Sequence, residues 1–189
     1  MNNKVRVIIL AFLVLSTSTA CAHSDGPYRG KVVELETGKP IEGAVVAAEW
    51  TIEPFVHTER ICDAKETLTD KNGEFELPKG SCTSHPLAQM YGPYVVIFKP
   101  GYLGYPPIGT NEEERKSYMP DWGNPHLFED KRQYNLVKLG KPKTRREREL
   151  TLTGAEFILD DEVLKKLPTL IKLTNEESKS LGFGERTMP

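Results

Sequence analysis

The stretch from Thr37 to Pro78 limits the possible folds more than any other part of the chain. From Ala44 to Trp50 the side chains alternate. Ala44, Val46, Ala48 and Trp50 fall on one face, and Val45, Ala47 and Glu49 fall on the other. That is the two-residue period of a strand. Small residues ending in a Trp predict a face packed closely on a second sheet, with Trp50 closing the core. Ahead of it, Thr37-Gly38-Lys39-Pro40 predicts a turn, because Gly38 tolerates positive φ and Pro40 fixes its own φ and lacks an N–H. Asp70-Lys71-Asn72-Gly73 predicts the tight turn of a β-hairpin, since Asn and Gly accept the left-handed conformation. Glu66 to Thr69 is read as its first arm. In its second arm Phe75 and Leu77 point inward while Glu74 and Glu76 point out. Residues 51–65 are read as irregular and broken by Pro54, with Phe55-Val56-His57-Thr58 as a short edge strand.

The first twenty residues have the layout of an export leader. Lys4 and Arg6 precede the apolar run Val7 to Leu15, and small residues follow to Ala20. The run is shorter than the ~20 residues a bilayer span needs. Ser18-Thr19-Ala20-Cys21 resembles a lipobox, which makes Cys21 the expected lipid attachment point. Ala20-Cys21-Ala22 also suits ordinary cleavage before His23. The remaining cysteines, Cys62 and Cys82, form an even pair, and in an oxidising compartment a disulfide is their default fate. Formal charge is −2. Removing the leader takes two basic residues and no acid, so no basic footprint for nucleic acid remains.

Residues 21–27 are read as a polar tether and residues 28–140 as the folded unit. Within it, Tyr28 to Glu36 predicts the first strand. Residues 79–92 are read as a loop. Tyr94 to Phe98, apolar on both faces, predicts a central strand, and Tyr134 to Leu139 predicts a last one. Residues 103–132 form a long insertion with several prolines. One helical turn is expected at 111–118. A loop of this length is usually functional or disordered. Its aromatics Tyr105, Tyr118, Trp122 and Phe128 make it the candidate contact surface, unless they pin the loop to the sandwich. Residues 141–189 are read as a basic linker, Lys141 to Arg148, and a helical tail lying over the sandwich. In the tail, Pro168 is expected to stop one helix. Thr174-Asn175-Glu176-Glu177 is expected to cap another ending at Gly182. The linker could meet anionic lipid headgroups, although its adjacent acids favour plain solvation.

Together these residues resemble the carboxypeptidase regulatory-like domain, a transthyretin-like β-sandwich. The matching segments are Gly30-x-Val32, Thr37-Gly38-Lys39-Pro40-Ile41-x-Gly43-Ala44-x-Val46, Thr69-Asp70-x-Asn72-Gly73-x-Phe75-x-Leu77 and Phe98-Lys99-Pro100-Gly101-Tyr102. They cover residues 30 to 102. The resemblance implies a mainly β, two-sheet sandwich of about seven strands, with a binding or accessory role and no activity of its own. The Cys62 and Cys82 pair and the 103–132 insertion depart from the family pattern.

No catalytic residues, metal ligands or cofactor are assigned. Asp70-x-Asn72-Gly73 has part of a calcium-loop spacing, but Glu74 and Glu76 stand at the wrong positions. Hydroxyisourate hydrolases share the architecture, yet Tyr28-Arg29-Gly30 lacks their final Ser and lies at the wrong end. Intradiol dioxygenases are similar in the strand with a Trp and in Thr-Asp-x-x-Gly, and imply ferric iron on two Tyr and two His. Tyr102, Tyr105 and His126 would leave that set one His short. The expected function is a non-catalytic envelope module, lipid-anchored and facing the periplasm, whose partner is an unidentified envelope protein or glycan. The alternatives are a degenerate intradiol-type enzyme and a subunit of an envelope assembly. A soluble periplasmic or secreted form is the alternative location.

Overall fold

The computed structural model describes residues 20–54, 58–107, 127–155 and 161–184, with no side-chain description for 153–155 and 161. The leader before Ala20, Phe55 to His57, the expected helical turn at 111–118, Tyr118 and Trp122 lie outside the described residues. The described chain is mainly β, with eight strands and three helices. The strands are β1 (Cys21–Asp25), β2 (Tyr28–Glu34), β3 (Val45–Glu53), β4 (Arg60–Leu68), β5 (Glu74–Leu77), β6 (Gly80–Ser84), β7 (Gln89–Phe98) and β8 (Tyr134–Leu139). The helices are α1 (Arg145–Ala155), α2 (Asp161–Leu164) and α3 (Pro168–Ser180).

Two three-stranded sheets, ordered β5-β2-β8 and β4-β3-β7, enclose the main core. Val32, Phe75, Leu77, Val137 and Leu139 come from the first sheet, and Val46, Ala48, Trp50, Val95 and Ile97 from the second. Val46 is fully buried and Phe75 is 6% exposed. The alternation read at both places is therefore the core pattern. Against the seven strands expected, a third sheet of two strands, β1-β6, extends the sandwich.

The Asp70 to Gly73 turn forms as its chemistry dictates. Asp70 Oδ1 accepts the N–H groups of Asn72 at 2.8 Å and Glu74 at 2.9 Å. Gly73 has φ +75°, and a Cβ there would stand 2.4 Å from the Val32 carbonyl. The expected hairpin is nevertheless absent, because β4 pairs with β3 and β5 pairs with β2. The turn carries the chain from one sheet to the other. Tertiary bonds on both sides decide this. Thr69 is tied to Ala44 and Ile41, and the Gly73 carbonyl accepts Val32 N–H at 2.8 Å.

Several expected boundaries move. Residues 51–54 and 58–65, read as irregular, fall largely in β3 and β4, since Ile52 continues the buried face past Trp50. The expected loop at 79–92 holds β6 and the start of β7. There the Gly80 backbone lies against the Trp50 indole, with a hypothetical Cβ only 2.2 Å from Cδ2. Only glycine can approach a buried ring so closely. The expected central strand, β7, pairs with β3 alone among the named strands, and β3 is the central one. β7 is apolar on both faces because its outer face is also covered. Val45, Ala47, Ala64, Val96 and Phe98 pack against Val163, Leu167 and Leu170 of the tail.

The tail differs in its local detail. The basic run read as a linker enters α1 at Arg145. Arg145 pairs with Glu149 at 2.8 Å, and Arg148 reaches the buried Glu177 of α3 at 2.6 Å. This bond holds the Arg148 guanidinium above its ordinary pKa. Pro168 starts α3 instead of stopping a helix, because a first helical position needs no N–H. Thr174 lies inside α3 and bonds back to the Leu170 and Ile171 carbonyls, so it caps nothing. Glu66 of β4 supplies the real cap. Its two carboxylate oxygens accept Thr169 N–H at 2.7 Å and Leu170 N–H at 2.9 Å.

Candidate functional site

The three cysteines gather at one pole of the sandwich. Cys62 on β4 and Cys82 on β6 form a disulfide with Cα atoms 5.4 Å apart. Asp63 next to it is buried, and its Oδ2 accepts Ser81 N–H at 2.9 Å. A two-stranded sheet is marginal by itself; here the disulfide and the Asp63 bond staple β6, and β1 through it, to the main body. Cys21 is exposed and is the first residue of β1, opposite Ser84. Residues 21–25 therefore form a strand where a free tether was expected. Their backbone groups find partners along β6, which no local polarity in Ala22 to Asp25 could reveal. His23 sits opposite Cys82, with Nε2 3.2 Å from the His85 carbonyl oxygen.

The insertion's aromatics divide. Phe128 is 4% exposed and packs among Tyr28, Phe75 and Tyr105, with ring centroids 6.1 to 6.2 Å away. It takes φ +67°, and its N–H donates to buried Asn135 Oδ1 at 2.8 Å. Asn135 Nδ2 in turn donates to the Arg29 carbonyl at 3.0 Å, so one amide clamps the loop onto β2 and β8. Tyr105 pairs its backbone with Ile97 and is only partly exposed. Burial pushes its phenol above the ordinary pKa. Phe128 is thus buried and pins the loop, Tyr105 packs half-buried beside it, and Tyr118 and Trp122 are among the residues not described. Sequence reasoning missed Asn135, whose only signal was its place at the start of β8.

A charged cluster occupies the opposite pole. Glu34 is 6% exposed and bonds Lys141 Nζ at 2.5 Å and the Thr37 hydroxyl, with the Tyr102 hydroxyl at 3.5 Å. Lys141, then Thr37, hold the Glu34 carboxyl below its ordinary pKa, and Glu34 holds Lys141 above its own. This network ties the β2 end to the start of the tail.

Tyr102 faces Glu34 and Tyr105 faces Phe128, while His23 and His85 lie at the cysteine pole. Among the described residues, no group of three or more His, Cys, Asp or Glu is arranged to hold a metal ion. His57 and His126 are outside the described residues. Comparison of the chain with models of protein families, with curated proteins and with solved structures gave no match.

Proposed function

We propose that the protein is a non-catalytic binding or accessory module of the bacterial cell envelope, of the carboxypeptidase regulatory-like, transthyretin-like kind. Lipid on Cys21 holds it to the membrane facing the periplasm, where it contacts another envelope protein or a glycan. The observation that carries this reading is the Cys62–Cys82 disulfide. Such a bond persists in oxidising compartments and is rare in the cytosol, and the third cysteine follows a leader of export type.

The roles of the signature residues support a scaffold. Thr69, Ala44, Gly73 and Val32 spend their hydrogen bonds on fastening turns to strands. Function in such a fold lives on grafted surfaces, not in the fold itself.

Fractionation of cells making the wild type and Cys21→Ser tests the anchor, with release of the variant from membranes expected. Affinity purification of the wild type from detergent-solubilised envelope then identifies the partner. Unchanged fractionation removes the anchor. Stoichiometric ferric iron with a tyrosinate charge-transfer band removes the non-catalytic reading.

A further inference from the structure

Every residue of β1 is paired with β6, from Cys21 opposite Ser84 to Asp25 opposite Gly80. An acyl group on Cys21 would therefore join the sandwich with no free chain between. Just past Ser84 the chain turns sharply. Ala88 N–H donates to the His85 carbonyl at 2.9 Å, Pro86 fixes the first corner, and Leu87 N–H donates to His85 Nδ1 at 3.2 Å. Leu87 is the second corner and is 86% exposed, more than any other large hydrophobic residue described. Ala88 is buried immediately after it, so the turn holds Leu87 outward. The disulfide and the Asp63 bond run β4 antiparallel to β6, which brings Arg60 to the same pole.

We infer that this pole is seated in the headgroup layer of the bilayer that carries the anchor, with Leu87 as its apolar tip. The inference rests on the reading that Cys21 is acylated. With no free chain between the anchor and the fold, the lipid on Cys21 draws this pole onto the bilayer surface, where an outward Leu87 can bury its apolar area. Arg60 stands here with Glu53 and Glu59, two acids against one base, so the charged groups of the pole stay among the headgroups, only Leu87 reaches deeper, and the pole does not select anionic lipid. The turns at Thr37 to Lys39 and Asp70 to Gly73 point away from the membrane. So does the basic run from Lys141, which begins at Glu34. β7 alone has ten residues, or ~33 Å at strand rise. The run is thus beyond the ~8 Å screening distance from those headgroups.

The test uses the full chain processed in a bacterial host. Leu87→Cys and Lys71→Cys are each labelled with nitrobenzoxadiazole. The lipidated proteins are reconstituted into phosphatidylethanolamine–phosphatidylglycerol vesicles containing a lipid spin-labelled just below the headgroup. Both positions are exposed, so neither change threatens folding. Emission from position 87 should be blue-shifted and quenched several-fold more than emission from position 71. Equal quenching in protein that still floats with the vesicles overturns the seating and leaves the anchor intact. Protein that carries no lipid and does not float overturns both.

Discussion

Thr69 and Ala44 exchange two hydrogen bonds: Thr69 N–H donates to the Ala44 carbonyl at 2.9 Å, and Ala44 N–H donates to Thr69 Oγ1 at 2.9 Å. The same hydroxyl donates to the Ile41 carbonyl at 2.7 Å. One buried side chain thus fastens the entry to the turn between sheets onto the segment that leads into β3. Thr69→Val keeps the shape and leaves a buried donor and acceptor unpaired. Chemical denaturation should show a loss of about 1–3 kcal/mol, with Thr69→Ser losing much less.

The disulfide secures the strand that bears Cys21. Its partners are 20 residues apart, and in the chain-entropy model such a link contributes about 3 kcal/mol. Reduction, or Cys62→Ala with Cys82→Ala, should lower stability by that order. Hydrogen exchange should rise first in residues 21–25 and 80–84, ahead of β3. Uniform acceleration across all strands would show that the small sheet does not depend on the link.

Glu66 docks the tail by meeting the N-terminus of α3, where the helix dipole and free N–H groups favour a carboxylate. Glu66→Ala should cost about 1 kcal/mol, the scale of a lost cap. Exchange across residues 168–180 should quicken while β2 and β5 stay protected.

Glu34 predicts an acid dependence. Its carboxyl is held below the ordinary value by Lys141 and Thr37, so the folded state favours the charged form. The stabilisation is present above the unfolded value, near 4.5, and is lost as pH falls through the lower folded value. Glu34→Gln should flatten the stability profile below that value and leave its neutral-pH slope unchanged. Lys141→Met should flatten it in part, since the Thr37 hydroxyl still bonds the carboxylate. An unaltered acid limb in both variants would contradict the assignment.

Features set by neighbours in sequence were legible, and features set by distant partners were not. The faces around Val46 and Phe75 follow from strand periodicity, and the Asp70 turn follows from local Asx and Gly chemistry. That turn makes the same local bonds whether its arms pair or part, so the change of sheet was hidden. The first part of β4 was obscured because Asp63 and Lys65 look like loop residues until the bond from Asp63 to Ser81 on β6 is known, and the docking role of Glu66 depends on α3, whose Thr169 lies 103 residues on. Pro168 is equally a stop or a start from local signals alone. At the site, the two cysteines could be paired by counting, whereas the burial of Phe128 depends on Asn135 seven residues away. The strand at Cys21 depends on a partner more than fifty residues distant.

The acyl state of Cys21 bears most directly on the account as a whole. Mass spectrometry of the N-terminal peptide from membrane-fraction protein reads it in one step. The predicted peptide begins at Cys21 and carries acyl-lipid mass. A peptide beginning at His23, or an unmodified Cys21, would contradict the anchored envelope module.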